Sequence, residues 1–166
     1  TNSCMYIFTP QDLNIRNNIF VFQGGYVLRS AVASPFTSMD YNLFYQRNTG
    51  FNFISFGGTV FNSFAQWQAN TFSHGANDVY GDPVFYTATD LHTDGYPAND
   101  AGDNTVGVLV DIDGEARPFT GSTQVDIGAD EYSPKLNDAG VIALANPMAP
   151  LQSGTVQPVT VTVKNF

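Results

Sequence analysis

The chain has few charged residues, and very few of those are basic. Only 13% of its 166 residues are charged, with 6 Lys and Arg against 15 Asp and Glu, so the formal net charge is −9. Nucleic acids and anionic membranes are held mainly by Lys and Arg, and this balance therefore argues against both as partners. The acidity keeps an exposed surface soluble, and it is compatible with a cation or a neutral polysaccharide as a ligand.

Cysteine and long apolar runs are also scarce. Cys4 is the single cysteine, so no intrachain disulfide can form. No apolar run approaches the ~18 residues of a membrane-spanning helix, and we expect no membrane insertion. No signal peptide is visible in the sequence, which opens on Thr1 without an initiator Met. This start is typical of a mature fragment of a longer protein.

Aromatic residues are abundant. The chain has 14 Phe and 8 Tyr, and 43% of its residues are hydrophobic, which is enough for a packed core. Aromatic side chains suit pleated, half-buried surfaces, whereas exposed helices need more Lys and Glu than this chain has. The composition therefore predicts an all-β protein built from short strands.

A short sequence pattern occurs twice. Asn18-Ile19-Phe20 recurs as Asn42-Leu43-Phe44, 24 residues later. One coil of a parallel β-helix has about this length, within the roughly 20–50 residues of repeat architectures. Asn tolerates the left-handed backbone of a corner, and stacked amides can bond to one another. We therefore predict that Asn18 stacks on Asn42 in adjacent coils.

Further elements follow the repeat. Residues 53–61 read as strand, turn and strand. Residues 62–69 predict a short helix with Ser63 as its cap and with Phe64 and Trp67 on one face. The loop-rich remainder, dense in Gly, Pro, Asn and Asp, predicts strands at 82–86 and 107–110 and a closing segment at 125–132.

These later segments carry an ordered set of motifs after Trp67. In chain order they are Asp82-Pro83-x-Phe85, Tyr96-Pro97-Ala98-x-Asp100-Ala101-Gly102, Asp111-Ile112-Asp113-Gly114-x-x-Arg117-Pro118 and Asp126-Ile127-Gly128-Ala129-Asp130-Glu131-Tyr132. The set resembles the C-terminal end of right-handed parallel β-helix proteins of the pectin-lyase-like superfamily, which usually have Ser where this chain has Tyr96. The resemblance implies that residues 1–134 are the C-terminal coils and cap of a single-stranded solenoid. It also implies a secreted or cell-surface protein of Bacteroidetes-like bacteria.

Residues 135–166 change character. Segments 138–144 and 156–165 alternate between apolar and polar residues, as half-buried strands do. They look like strands A and B of an immunoglobulin-like adhesion module. Such a sandwich needs about seven strands to bury its core, so we expect a truncated module here, an incomplete β-sandwich of two strands.

Two kinds of site are candidates. The densest carboxylate group predicts a calcium site at Asp111, Asp113, Asp126 and Asp130, near Glu131, because Ca²⁺ takes six to eight oxygen ligands. The alternative is structural: Asp113 shapes a turn, and Arg117 pairs with Asp126 or Asp130. The second candidate is carbohydrate stacking on exposed aromatic rings, namely Trp67, Tyr41, Tyr45, Tyr86 and Phe44. For Trp67 the alternative is a structural ring that covers the apolar end of a coil. His74 and His92 have no metal-ligand spacing, and we interpret them as isolated surface histidines.

The functional expectation is a non-catalytic structural or presentation segment of a secreted or surface protein. Its partners would be the rest of the parent chain and a polysaccharide. The alternative is the C-terminal part of a β-helix polysaccharide lyase or glycoside hydrolase whose catalytic coils lie upstream. The chain has none of the Asn-Thr-Asp, Asp-Asp or Arg-Ile-Lys signatures of polygalacturonase-type hydrolases.

Overall fold

The structure is a computed structural model, and it describes residues 3–9, 12–32, 36–48, 52–70, 74–133, 139–146, 154, 156 and 158–165. The chain is predominantly β and divides into two compact units, Thr1–Ser133 and Pro134–Phe166. Within the described ranges, no helix combines the length and apolarity needed to cross a membrane.

The first unit contains nine strands and one short helix in its described part. Their bounds are β1 Ser3–Ile7, β2 Leu13–Arg16, β3 Ile19–Phe22, β4 Tyr26–Ser30, β5 Phe36–Asp40, β6 Leu43–Gln46, β7 Ile54–Phe56, β8 Thr59–Phe61, α1 Phe64–Gln68 and β9 Val79–Tyr80. β1, β4 and β7 pair in parallel, as do β2 with β5, and β3 with β6 and β9. The strands β1, β2 and β3 therefore lie beside β4, β5 and β6, which follow them along the chain in the same order.

The register of β3 and β6 is the one that the repeat predicts. Ile19 pairs with Leu43 and Phe20 with Phe44, in parallel. Asn18 donates from its amide nitrogen Nδ2 to Asn42 Oδ1 at 3.2 Å. The predicted stacking of these two asparagines is confirmed.

Successive side chains along each strand point to opposite faces of the sheet. Phe20, Phe22 and Phe44 point into an aromatic core, where the Phe44 ring stacks on Phe20 at 5.3 Å and meets Phe53 edge-on at 5.4 Å. Fully burying one such side chain stabilises the fold by about 1.5–3 kcal/mol. The core consists of buried side chains from all three strand groups and from α1: Ile7, Ile15, Phe22, Val27, Leu28, Phe36, Met39, Phe44, Phe53, Ile54, Phe56, Phe61 and Trp67.

The opposite face of β6 is covered by the loop-rich segment. Leu43 is fully buried there against Ala98 and Ile127. Gly128 lies so close to Ile19 that an added Cβ would sit 2.8 Å from Ile19 Cδ1. Apart from β9, the segment 75–133 thus packs on the face of the β3–β6–β9 sheet that lies opposite the aromatic core.

The strands predicted at 82–86 and 107–110 are wrong. Two short 3₁₀ helices, Tyr96–Ala98 and Asn104–Val106, and isolated bridges such as Phe85 to Thr93 occur in this part of the chain. Side chains take the place of strand partners: Asp82 Oδ1, for example, accepts the backbone N–H of Val84 at 2.9 Å. Such local bonds compete with a ladder, because they satisfy the same backbone donors.

The predicted hairpin and helix are confirmed. β8 folds back antiparallel on β7, and Gly57 and Gly58 turn between them with φ of 54° and 85°. Ser63 caps α1 by accepting the N–H of Gln66 at 3.3 Å, which satisfies one of the free donors of the first turn.

The second unit contains two described strands, β10 Ala139–Asn146 and β11 Thr160–Asn165. They pair antiparallel, so strands exist near both predicted positions. Apolar side chains remain open, with Val141 64% and Val163 58% exposed. A two-stranded ribbon is marginally stable by itself in water.

Candidate functional site

His92 lies between two carboxylates on the surface of the first unit. Its ring nitrogen Nδ1 is 2.5 Å from Asp90 Oδ1, and Nε2 is 2.7 Å from Asp113 Oδ2. The backbone N–H of His92 also donates to Asp90 Oδ1 at 3.2 Å. Asp90 therefore holds the ring by two bonds, while Nε2 faces the turn that carries Asp113.

Asp111 builds that turn. Its Oδ1 accepts the N–H groups of Asp113 at 2.9 Å and Glu115 at 2.8 Å. Gly114 provides the left-handed residue with φ of 84°. Asp111 Oδ2 accepts the N–H of Glu131 at 3.2 Å and so ties the turn to the closing segment.

Asp130 joins the cluster from that closing segment. Its side chain is buried, with 7% of the residue exposed, and Oδ2 accepts the N–H of Thr93 at 3.0 Å. One ligand atom each of His92, Asp113 and Asp130 can be chosen so that all lie within 4.8 Å of one another. Within the described residues, no Lys or Arg pairs with Asp130. We call His92, Asp90, Asp113 and Asp130 the His92 cluster.

The carboxylates favour the protonated imidazole. Hydrogen bonds that the ring donates to Asp90 and, with a smaller effect, to Asp113 raise the pKa of His92 to about 9. The same contact lowers the pKa of Asp90. At neutral pH, with no other cation present, His92 itself supplies the positive charge among three acids.

An exposed aromatic ring borders the cluster. Tyr86 is 56% exposed, and its ring centroid is 6.0 Å from that of His92. Its hydroxyl donates to Asp94 Oδ1 at 3.3 Å. Burial of the hydroxyl and the charge of Asp94 raise the pKa of Tyr86.

A pocket of about 340 Å³ lies among the same chain segments. It is lined by Asn17, Asn18, Ile19, Phe85, Leu91, Gly128 and Ala129. Phe85, Leu91 and Ala129 are the chain neighbours of Tyr86, His92 and Asp130. The segments that form the His92 cluster therefore also form a largely apolar concavity.

The structure brings together only part of the predicted calcium set. Asp113 and Asp130 meet in the His92 cluster, and Asp111 orients one of them. Asp126 does not join them: its Oδ1 accepts the N–H of Asp100 at 2.6 Å and its Oδ2 that of Tyr132 at 2.9 Å. Both oxygens of this carboxylate therefore bind backbone N–H groups, and burial raises the pKa of Asp126 to about 6.

The predicted partner of Arg117 is also corrected. Its guanidinium pairs with Glu131, with Nε 3.0 Å from Oε2, and not with the carboxylates of Asp126 or Asp130. It also donates to the carbonyl oxygens of Gly128 and Asp126. Arg117 can thus hold the closing segment from both ends, because five donors in a planar fork reach several acceptors.

The predicted sugar-stacking rings are scattered. Trp67 and Phe44 are fully buried, so neither offers a face to a sugar, and the stacking hypothesis is wrong for both. Trp67 donates from Nε1 to Asp78 Oδ2 at 2.8 Å inside the core. Tyr45 is half-buried beside Tyr80, with ring centroids 6.5 Å apart. Tyr41 is half-buried at a corner with φ of 57°.

Sequence reasoning missed His92 and Asp90. An Asp two residues before a His was the available local signal, but an isolated histidine has no metal-ligand spacing. Asp113 reaches His92 across 21 residues of loop. No periodicity predicts that contact.

Comparisons with protein-family models, with curated proteins and with solved structures find no significant match to the chain.

Proposed function

We propose that residues 1–134 are the C-terminal coils and cap of a right-handed parallel β-helix. We further propose that this solenoid is a non-catalytic scaffold in a secreted or cell-surface bacterial protein. The observation that carries the proposal is a ladder of side chains at one corner. Asn18 bonds to Asn42, and Asn42 donates from both its backbone N–H and its amide to Asp78 Oδ1, at 2.8 Å and 3.2 Å.

The corner repeats in backbone as well as in side chains. Asn17 and Tyr41, which precede the two ladder asparagines, both have left-handed φ values of 59° and 57°. The third level comes 36 residues after the second, because β8 and α1 are inserted between them. Stacked corners above parallel strands are what a β-helix requires, and right-handed crossovers are the rule for parallel connections.

A scaffold role is supported by the location of the aromatic rings. Phe22, Phe44, Phe53, Phe56 and Trp67 are buried between the parallel strands, where they stabilise the stack and offer no platform to a polysaccharide. Residues 135–166 fit the proposal as the first two strands of an immunoglobulin-like module, since β10 and β11 are neighbours in an antiparallel ribbon.

The test is incubation of the purified chain with acidic polysaccharides such as polygalacturonate and with neutral ones such as xylan. Reducing ends and unsaturated products are then measured over time. We expect no release of either product above the rate with heat-denatured chain. If the chain releases either product and Asp113→Asn abolishes that release, the non-catalytic assignment is overturned and the catalytic site lies in the His92 cluster.

A further inference from the structure

We propose that His92, Asp113 and Asp130 bind a divalent transition-metal ion such as Zn²⁺, and that Asp90 is the positioning residue for His92. The proposal concerns a site that is independent of the scaffold role. Its three ligands come from three separate segments, so a bound ion would cross-link the loop-rich part of the first unit.

The geometry of the imidazole is the first argument. Metal-binding histidines commonly donate their second ring N–H to a carboxylate, which fixes the tautomer and the direction of the other nitrogen. Asp90 has that place here, 2.5 Å from His92 Nδ1, and it also accepts the backbone N–H of the same residue. Nε2 is thereby directed toward Asp113.

The buried acid is the second argument. Asp130 is 7% exposed, it accepts one backbone N–H, and no Lys or Arg of the described residues pairs with it. Burying a carboxylate is costly. A metal ion that binds the neutral imidazole would replace the proton of His92 and would place its own positive charge beside Asp130. Asp113 and His92 are more open, with side chains 54% and 34% exposed, so an ion and its waters have access from solvent.

Spacing and ligand chemistry select the ion. Zn²⁺ bonds to His nitrogen and Asp oxygen are about 2.0–2.2 Å long, so two ligands on one ion lie at most about 4.4 Å apart. The chosen ligand atoms are within 4.8 Å of one another, so they would have to approach by a few tenths of an ångström when the ion binds. Ca²⁺ prefers six to eight oxygens, whereas one imidazole with two carboxylates suits Zn²⁺ and leaves a position for water.

The experiment is isothermal titration of the full chain with Zn²⁺ and, separately, with Ca²⁺. The protein is used without an affinity tag and with Cys4→Ser, because an exposed thiol would itself bind zinc. Co²⁺ serves as a second probe, since its visible absorption reports nitrogen and oxygen ligands directly. We expect one Zn²⁺ per chain, with Ca²⁺ bound at least about tenfold more weakly.

Variants assign the ligands. His92→Gln should weaken Zn²⁺ binding by more than about 100-fold and abolish the Co²⁺ spectrum, and Asp90→Asn should weaken binding by about 10–100-fold. Glu115→Gln is the matched control: it removes one exposed negative charge beside the site but no proposed ligand, and we expect unchanged affinity. Urea unfolding of each metal-free variant checks that the fold persists.

Three results would overturn the proposal: no Zn²⁺ binding, equal Zn²⁺ affinity in folded His92→Gln and the parent, or tighter binding of Ca²⁺ than of Zn²⁺. None of them bears on polysaccharide cleavage, so this proposal and the scaffold proposal fail separately.

Discussion

Replacement of Asn42 by Ala should be among the most damaging single changes in the first unit. The side chain is fully buried. Its Oδ1 accepts the N–H of Asn18 at 3.1 Å and the Asn18 amide at 3.2 Å. Its Nδ2 donates to the carbonyl oxygens of Ile15 at 3.0 Å and Asp40 at 3.1 Å, and to Asp78 Oδ1.

The expected loss follows from those bonds. A net hydrogen bond contributes about 1 kcal/mol, and a buried group left without a partner costs about 1–3 kcal/mol. Truncation to Ala removes every bond of the Asn42 amide, and water entering the polar space recovers part of the loss. We therefore expect the free energy of unfolding to fall by about 3–5 kcal/mol, a large share of the roughly 5–15 kcal/mol of a typical domain.

Asn18→Ala is the matched control, because it removes the same chemical group from the exposed end of the same ladder. The Asn18 amide donates to the Arg16 carbonyl and to Asn42, and solvent can replace both bonds. We expect a loss of about 1 kcal/mol or less.

Urea unfolding followed by tryptophan fluorescence measures both variants. Trp67 is the only tryptophan, and it is buried in the core, so its emission reports the first unit. The slope of the unfolding free energy against urea concentration should stay unchanged, since the surface exposed on unfolding is the same, while the urea concentration at the midpoint of unfolding falls. Equal losses in the two variants would refute the claim that the buried corner ladder stabilises the stack.

The remaining predictions concern charge and space around the same core. Burial raises the pKa of Asp78 to about 6 from its ordinary 3.8, so between these pH values only the folded state binds this proton. The contribution of Asp78 should therefore make the free energy of unfolding rise as the pH falls from 7 toward 4. Asp78→Asn should flatten that rise, as measured by urea unfolding at several pH values across the range. Glu131→Ala leaves the guanidinium of Arg117 buried without its carboxylate and should cost about 3–5 kcal/mol by the same assay; a loss under about 1 kcal/mol would contradict a structural role for the pair. Gly75→Ala should lower the midpoint of thermal unfolding far more than Gly58→Ala, although both glycines have positive φ. A Cβ at Gly75 would overlap the Trp67 indole and lie 2.8 Å from Asp78 Oδ2, whereas nothing lies within 4 Å of a Cβ at Gly58. Similar midpoints in the two variants would show that the cost comes from the left-handed backbone alone and not from the steric overlap.

Much of the candidate site was beyond reach of sequence reasoning. The carboxylates at Asp113 and Asp130 could be selected by their density along the chain, but the structure does not bring Asp126 together with them. Asp126 turns inward to accept two backbone N–H groups, and His92 takes its place beside the other two. Which acid faces an ion and which serves the backbone depends on loop geometry that local pattern does not encode.

Local features of the chain were enough to predict the β character, the 24-residue repeat with its stacked asparagines, the 57–58 turn and the capped helix at Ser63. These follow from alternation, turn residues and capping, which act over a few positions. Long-range packing fixed three other features: residues from 75–133 cover Leu43, Trp67 is buried in contact with Asp78, and His92 lies beside Asp113 and Asp130. In that segment some backbone donors are satisfied by side chains from distant loops, as Thr93 is by Asp130 and Asp100 by Asp126. These contacts depend on the whole packed unit.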